Sequence, residues 1–291
     1  MVEASFYISL DDQLVKCELC PHHCRIKPGQ VGICKVRKNI DGKLYSMNYG
    51  VVSAAALDPI EKKPLFDFHP GSHIFSIGSV GCNLGCVFCQ NWQIATATEA
   101  AVQQSDKNIP PEAILDAAIK LIPNGNIGVA YTYNEPTVWF EYMRDIAALV
   151  KENNLKNVMV SNGFIEVKPL EVLLGLIDAF NIDLKGYSND FYKRMTKSEL
   201  DPVLRTLEMI AKNGNHLEIA YLVIPGENDD PTKFREIVGW LKGHVGEKVT
   251  LHIDRYFPNY KLQTPPTSVE SLHELADIAK SILPRVHIGN V

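Results

Sequence analysis

The chain has 291 residues, of which 46% are hydrophobic and 22% are charged, with a formal net charge of -5. A chain of this size can bury a large core, and its slight negative charge gives no general attraction to nucleic acid or to an anionic membrane. Its apolar runs stay short of the roughly 20 residues that span a bilayer, and its first residues lack the basic start of a signal peptide. We therefore expect a cytoplasmic protein without nucleic-acid or membrane partners.

The first chemical signal along the chain is a group of four cysteines, namely Cys17, Cys20, Cys24 and Cys34. Four thiolates this close in sequence can close a tetrahedral zinc site, and an auxiliary iron–sulfur cluster uses the same ligands. Disulfides or free thiols are the remaining alternatives, although clustered cysteines in a cytosolic protein more often bind metal. The neighbouring His22 and His23 are expected to face solvent, because four thiolates already suffice. The group predicts a metal site that holds either zinc or an iron–sulfur cluster.

Residues 1–70 are predicted to form an N-terminal Cys-rich metal-binding module and its connector. A turn at 39–42 and the alternating pattern of 43–56 indicate a short hairpin. Residues 58–70 are rich in proline and charge, which is typical of a connecting loop. Residues 71–291 have a different rhythm and are predicted to form the main domain.

The second group of cysteines, Cys82, Cys86 and Cys89, has the spacing C-x3-C-x2-C and follows an apolar run. Three thiolates can hold three irons of a [4Fe–4S] cluster, whose usual complement is four cysteines. The fourth iron is then left open for a ligand that is not protein. Gly81 and Gly85 allow the backbone to wrap closely around such a cluster. The alternative is that the three cysteines pack as small apolar residues, and the surrounding Gly and Asn disfavour it.

From residue 73 onward, apolar segments of strand length alternate with amphipathic segments. The strand-like segments lie at about 74–79, 127–132, 157–162, 179–184, 217–224 and 249–255. A helical stripe between two of them comprises Trp139, Met143, Ile146 and Val150. Such alternation predicts an α/β fold with a parallel sheet and right-handed crossovers. We expect a partial (β/α)6 TIM-type barrel, with an open doubly wound sheet as the alternative and a further short strand over Arg285–Ile288.

Polar residues gather where each predicted strand ends, and the carboxyl ends of parallel strands face the same side of a sheet. The clusters that follow the cysteine loop are 131–136, 161–163, 183–186, 225–228 and 254–258. Beside an open iron, Glu135 suits an ammonium, Lys185 a carboxylate and Asp183 a pair of ribose hydroxyls. An ion pair between Asp183 and Lys185 is the alternative. Phe88 would shield the cluster or lie beside an aromatic ring of a ligand.

The C-x3-C-x2-C spacing with Phe88 before the last cysteine resembles the signature of the radical S-adenosylmethionine (SAM) superfamily. Within it, the chain resembles the radical SAM enzyme of the AmmeMemoRadiSam system, a branch related to the pyruvate formate-lyase-activating enzymes. The stretches that carry this resemblance are 17–24, 58–65, 81–83, 89–92, 132–136 and 183–186. Members of the branch are expected to continue past Val291 with a short tail that carries a Cys-Pro-x-Cys pair.

The resemblance implies cofactors, a reaction and partners. SAM is expected to chelate the open iron through its amino and carboxylate groups. Reduction of the cluster then cleaves SAM to methionine and a 5′-deoxyadenosyl radical, which abstracts hydrogen. A flavodoxin or ferredoxin would supply the electron, and the substrate is either handled with Memo and AMMECR-domain proteins or is a glycine of a glycyl radical enzyme. A non-enzymatic iron–sulfur electron carrier or redox sensor is the rival, disfavoured because carriers normally fill all four iron positions with protein ligands.

Position by position, the resemblance also implies contacts to SAM. Asn134 and Glu135 take the place of the superfamily's Gly-Gly-Glu motif, in which the Glu binds the SAM ammonium. Asp183 and Lys185 match the residues that the activating enzymes use for the ribose and for the methionine carboxylate. Asn162 matches a polar contact from the third strand.

Two residues of the sixth predicted strand, His252 and Arg255, lie where that strand would face a substrate. A satisfied core histidine is the alternative for His252. The residue types alone assign no chemical step to either of them.

Overall fold

The computed structural model of the protein describes residues 1–97 and 108–291. Within that part, the N-terminal residues form two small sheets with the strand orders β1-β6-β5 and β2-β3-β4. Their strands are β1 (Val2–Glu3), β2 (Tyr7–Ser9), β3 (Val15–Cys17), β4 (Arg25–Ile26), β5 (Arg37–Ile40) and β6 (Lys43–Ser46). Asp41 and Gly42 join β5 to β6 with φ of 50° and 83°, the left-handed pair that a two-residue hairpin turn requires. The hairpin therefore spans 37–46 rather than the predicted 43–56.

The rest of the described chain builds an eight-stranded sheet whose spatial order follows the chain order. Its strands are β7 (Ala54–Pro59), β8 (His73–Gly78), β9 (Asn126–Tyr131), β10 (Lys156–Ser161), β11 (Ala179–Asp183), β12 (His216–Val223), β13 (Thr250–Arg255) and β14 (Arg285–Gly289). β7 pairs antiparallel with β8, and every later pair of neighbours is parallel. A doubly wound sheet reverses its order at a switch point, and this sheet does not. The arrangement is consistent with a partial TIM-type barrel, and the predicted strands are confirmed to within a residue at each end.

Helices lie between the parallel strands and pack on one face of the sheet. Within residues 1–97 and 108–291 the α-helices are Trp92–Ala95, Pro111–Lys120, Phe140–Glu152, Val167–Leu174, Asn189–Phe191, Asp201–Asn213, Pro231–His244 and Val269–Lys280. Shorter turns are the 3-10 helices Asp11–Gln13, Ile60–Lys62, Ile122–Asn124 and Pro136–Trp139 and the π-helix Tyr192–Thr196. Asp230 caps one helix by accepting a hydrogen bond from Lys233 N at 2.9 Å, and Gly214 ends another with φ of 84°.

The two faces of the sheet carry different cores. Alternate strand residues such as Val129 and Tyr131 pack against the helices, including the predicted stripe that starts at Trp139. The strand residues between them, such as Ala130, point to the other face and pack inside the barrel against Ile60 and Leu65. Residues 60–68 therefore plug the floor of the barrel, meaning the end where the parallel strands begin.

This plug corrects the expectation of a simple connecting loop over 58–70. Asp58 and Pro59 belong to β7, where they pair with Ile74 and His73. The prolines and charges that suggested a connecting loop instead allow irregular backbone to fill the barrel floor. The division of the chain at residue 70 stays a prediction. Both β7 and the plug precede residue 70 in the sequence, yet they pack with the barrel.

A buried carboxylate holds the plug in place. Glu218 accepts hydrogen bonds from Phe66 N at 3.0 Å, from Asp67 N at 2.8 Å and from His252 Nε2 at 2.6 Å. Burial opposes ionisation here, but hydrogen bonds from His216, from His252 and from the plug outweigh it and lower the pKa of Glu218 to about 2. The floor is therefore fastened by an ionised group.

We expect Glu218→Gln to destabilise the fold at neutral pH by about 3 kcal/mol. Because the pKa of Glu218 is lowered in the folded state, its contribution is full above the unfolded pKa and is lost as pH falls towards about 2. Denaturation of both proteins across acidic to neutral pH measures this. A stability difference that stays constant with pH would contradict the ionised state of Glu218.

No helix among the described residues is long and apolar enough to cross a membrane.

Candidate functional site

The cysteine loop begins at the carboxyl end of β8. It is held from the opposite side of the barrel mouth, because Gly85 N donates to Thr196 O at 2.8 Å and Val87 N donates to Met195 O at 3.0 Å. These backbone contacts fix the loop without using the cysteine side chains, which stay available for ligands.

All three cysteines of this loop are free thiols. Burial raises the pKa of Cys86 to about 12, although the ammonium of Lys185 acts in the opposite direction. Burial likewise raises the pKa of Cys82 and Cys89. Iron binds thiolates, so these sulfurs would lose their protons only in exchange for metal. A desolvated thiol set with a cation beside it fits an anionic iron–sulfur cluster.

Asn134 ties the end of β9 to the cysteine loop. Its Oδ1 accepts from Ser79 N at 2.8 Å, and its Nδ2 donates to Gly81 O at 2.9 Å. The preceding Tyr133 has φ of 69°, and its carbonyl accepts from Asn91 Nδ2 at 2.6 Å. Asn134 therefore positions the loop that carries the cysteines, in addition to any contact with a ligand.

Glu135 lies at the same strand end and is buried. Its carboxylate accepts hydrogen bonds from Ser161 Oγ at 2.7 Å, Asn162 N at 2.8 Å and Thr137 N at 2.9 Å. Burial raises the pKa of Glu135, although these hydrogen bonds act to lower it. The carboxylate therefore joins β9 to β10, and Oε2, which accepts from Asn162 alone among the described donors, retains a lone pair for a ligand.

Asn162 points at the cysteine loop. Its Nδ2 lies 3.8 Å from Cys82 Sγ and donates to Asn83 Oδ1 at 2.9 Å. Its Oδ1 accepts from Phe164 N at 2.8 Å, which fixes the amide orientation. In this position Asn162 supports a cysteine sulfur.

Asp183 and Lys185 form an ion pair with 2.9 Å between Lys185 Nζ and Asp183 Oδ2, which was the alternative considered for these residues. Burial acts to lower the pKa of Lys185, but Asp183 and Cys86 outweigh it and raise that pKa. The ammonium is therefore charged and interacts electrostatically with a cysteine of the loop.

Phe88 is buried under the loop, with its ring centroid 6.4 Å from that of Phe191. The other two sequence candidates are occupied by protein contacts. His252 is buried and bonds to Glu218 near the barrel floor, and Arg255 Nε donates to Thr267 O at 2.8 Å. These contacts favour the core-histidine alternative for His252 and lend no support to a substrate contact from Arg255.

Asp254, between those two residues, was missed as a candidate although the strand-end cluster 254–258 contained it. It faces the barrel interior, where a Cβ on Gly289 would collide with its carboxylate. Among the described residues no hydrogen bond or ion pair reaches that carboxylate, and burial raises its pKa to about 6. An unpartnered carboxylate at the barrel mouth is available to a substrate.

We expect Asp254→Asn to stabilise the protein by about 2 kcal/mol above pH 6. The pKa of Asp254 is raised in the folded state, so its cost to stability is absent below the unfolded pKa, grows as pH rises from there towards about 6, and is complete above that. Thermal unfolding of both proteins at acidic and at mildly alkaline pH checks this. A variant that is less stable than the parent at alkaline pH would show that the carboxylate has a protein partner.

A second missed contact links the two cysteine groups. His22 Nε2 lies 2.7 Å from Asn83 O, directly after Cys82, and the His22 ring packs on Phe164. The expectation that His22 faces solvent is therefore wrong, because the first cysteine group packs against the loop that carries the second.

Residues 76–237, more than half of the chain, match the family model of the radical SAM superfamily. The chain belongs to this superfamily. It is 42% identical over its whole length to an uncharacterized protein of Methanocaldococcus jannaschii, of which it covers 86%. It is 24% identical over 155 residues, 52% of this chain and 61% of the relative, to the pyruvate formate-lyase 1-activating enzyme of Escherichia coli. A radical SAM methyltransferase from Sphaerobacter thermophilus shares the fold, with a TM-score of 0.57 at 15% identity over 76% of this chain and 67% of that one.

Membership of the radical SAM superfamily implies an enzyme with a [4Fe–4S] cluster and SAM as cofactors. The matched region includes the cysteine loop and the strand ends that carry Glu135, Asn162 and Lys185. The desolvated thiols and the neighbouring ammonium described above fit these two groups.

Proposed function

We propose that Cys82, Cys86 and Cys89 bind the [4Fe–4S] cluster and that SAM binds at its open iron. The observation that carries the proposal is the position of three partly buried free thiols on the loop after β8, with the Asp183–Lys185 ion pair at the carboxyl end of β11. When bound, the cluster and SAM together supply a one-electron cleavage that yields a 5′-deoxyadenosyl radical for hydrogen abstraction.

The protein's own residues bind and orient these groups. Lys185 is proposed to turn from Asp183 to the SAM carboxylate, which frees the Asp183 carboxylate for the ribose hydroxyls. Oε2 of Glu135 accepts a hydrogen bond from the SAM ammonium, while the Asn162 amide donates one to the Cys82 sulfur. The hydrogen bonds of Asn134 fix the position of the cysteine loop, and the buried Phe88 ring excludes water from the sulfurs.

The test is SAM cleavage by the anaerobically reconstituted chain under a strong one-electron reductant such as dithionite. Release of 5′-deoxyadenosine is expected. A chain that holds its cluster and binds SAM but releases none would reject radical SAM chemistry for this site and favour an electron carrier or redox sensor.

We further propose that the enzyme works in the AmmeMemoRadiSam system, with Memo and AMMECR-domain proteins as partners and a flavodoxin or ferredoxin as reductant. Two stretches that carry the resemblance touch each other, because Asp58 Oδ2 accepts from Tyr133 OH at 2.9 Å and from Lys63 Nζ at 2.8 Å. The stretch 58–65 therefore supports the Asn134–Glu135 turn directly. Pull-down of a Memo or AMMECR-domain protein by the full chain would support the proposal, and failure of both proteins to bind would count against it.

A second candidate is activation of a glycyl radical enzyme, favoured by the similarity to the activating enzyme of Escherichia coli. The same SAM chemistry would then abstract hydrogen from a protein glycine. Incubation with a candidate glycyl radical enzyme distinguishes the two, because only an activase produces a stable glycyl radical signal in electron paramagnetic resonance.

The first cysteine group is proposed as a second metal site. Its ligands are Cys17, Cys20, Cys24 and Cys34, and zinc and iron–sulfur remain the two chemical alternatives.

A further inference from the structure

The outer side of the loop that carries Cys82, Cys86 and Cys89 reaches the protein surface. Gly85 and Gln90 are exposed, and all three cysteines are partly exposed. A group bound to these sulfurs is therefore close to the surface that a docked partner would contact.

Two exposed lysines flank this loop. The stem of Lys197 packs beside Gly85, because a Cβ on that glycine would lie 3.1 Å from Lys197 Cγ. Lys261 is held against the loop by its backbone, whose N–H donates to Val87 O at 2.9 Å. Both side chains therefore border the cysteine loop within two residues of Cys86.

Neither of these two ammonium groups is neutralised by a carboxylate. Lys197 Nζ donates to the backbone carbonyl of Arg194 at 3.1 Å, and Lys261 Nζ lies 4.9 Å from the centre of the Tyr260 ring. In the part of the chain that the structure describes, no ion pair involves either lysine. Each therefore keeps its charge available to a partner.

The surroundings of the loop are positive although the chain as a whole is acidic. The segments that hydrogen-bond to the loop from across the barrel mouth, 192–198 and 256–262, contain four basic residues and no acidic one. The whole chain has a net charge of -5, so this is a local feature. A local positive potential attracts a negatively charged partner and raises its association rate.

Aromatic rings continue the same surface. Exposed Trp92, three residues after Cys89, stacks on Tyr260 with 5.2 Å between ring centroids and 13° between ring planes. Phe257, on the same loop as Tyr260, is also exposed. Aromatic residues are enriched in protein–protein contacts, whereas charges at the rim of a contact steer association. This combination of rings and lysines suits a protein partner.

We propose that Trp92, Lys197, Tyr260 and Lys261 form a docking surface for an acidic one-electron carrier protein of the flavodoxin or ferredoxin type. The proposal rests on the proposed function, in which the adjacent loop binds the cluster. One electron leaves the reduced flavin or iron–sulfur group of the carrier and enters the cluster, and no bond forms or breaks. Electron-transfer encounters use small contact areas, so a surface of this size suffices.

The first test measures binding of a flavodoxin, as the probe, to the full reconstituted chain at several salt concentrations. Binding to wild type should weaken as salt rises, because the attraction is between exposed charges. In Lys197→Glu/Lys261→Glu the Kd is expected to rise at least about 10-fold and to depend less on salt. The backbone hydrogen bond of Lys261 is kept in this variant. A Kd equal to that of wild type would overturn the proposal.

The matched control is Lys242→Glu/Lys248→Glu, which changes the net charge by the same amount. Both lysines are exposed, and they lie at the floor end of the barrel, in the last turn of the helix Pro231–His244 and just before β13. Flavodoxin binding should be retained. A loss equal to that of the first variant would show that overall charge, and not this surface, governs binding, and would also overturn the proposal.

The second test compares two reductants. Release of 5′-deoxyadenosine driven by reduced flavodoxin below saturation should fall about 10-fold in Lys197→Glu/Lys261→Glu, whereas release driven by dithionite should not change. An equal loss with both reductants would overturn the proposal, because the lysines would then support the site itself. Absence of dithionite-driven release from wild type would instead reject the proposed function, and the binding measurement does not depend on it.

Discussion

Replacing Cys86 with alanine is expected to abolish SAM cleavage and to remove about four irons per chain. Two thiolates cannot hold the proposed cluster, and no other cysteine lies on this loop. The three loop sulfurs are desolvated, so a water or hydroxide that replaces the lost ligand would enter an unfavourable environment. The measurements are the iron content and the yield of 5′-deoxyadenosine after anaerobic reconstitution.

The matched control is Gln90→Ala, which changes an exposed residue of the same loop next to Cys89. It should keep both the iron and the cleavage activity. If Cys86→Ala retained full cleavage, the cluster would have to be assigned to the other cysteine group.

Changing Lys185 to glutamine is expected to raise the KM for SAM by about 10- to 100-fold, the value of one charge-assisted hydrogen bond. Iron content should not change, because Lys185 ligates no metal in the proposal. The turnover number at saturating SAM should change much less than KM, since the contact to the carboxylate is made equally before and during cleavage. Steady-state kinetics of 5′-deoxyadenosine release provide both constants.

Lys193→Gln is the control, because Lys193 is an exposed lysine of the neighbouring π-helix. It should leave the KM for SAM unchanged. A Lys185→Gln enzyme with an unaltered KM would mean that the ion pair with Asp183 is structural and that SAM is held elsewhere.

The parallel strands and the convergence of their polar ends could be predicted from the sequence, because buried strands leave continuous apolar runs and open ends leave polar clusters. The role of residues 60–68 could not. Proline and charge in that stretch are equally compatible with a surface loop, and its burial depends on Glu218, which lies far along the chain. Local pattern carries no information about such a distant partner.

For the site, the residue types predicted which side chains lie close together but did not decide which hydrogen bonds and ion pairs they form. Asp183 and Lys185 were expected beside the cysteines, either as ligand contacts or as an ion pair, and the structure pairs them with each other. His252 and Arg255 attracted attention because of their chemistry, whereas Asp254 between them faces the barrel interior without a partner. Successive residues of a strand point to opposite faces of the sheet, so Asp254 and Arg255 cannot both face the barrel interior. An error of one residue in the predicted strand register exchanges the two.

The hydrogen bonds that hold the plug in the barrel floor also affect how the chain folds during its synthesis. Phe66 and Asp67 leave the ribosome about 150 residues before Glu218, their hydrogen-bond acceptor. At 5–20 residues per second, roughly 10–30 seconds of synthesis separate them. During that interval Ile60 and Leu65, which are fully buried in the finished barrel, lack much of the wall that covers them. Nascent chains that stop before β12 are therefore expected to aggregate or to recruit chaperones, and release from chaperones should coincide with the synthesis of β12 and β13.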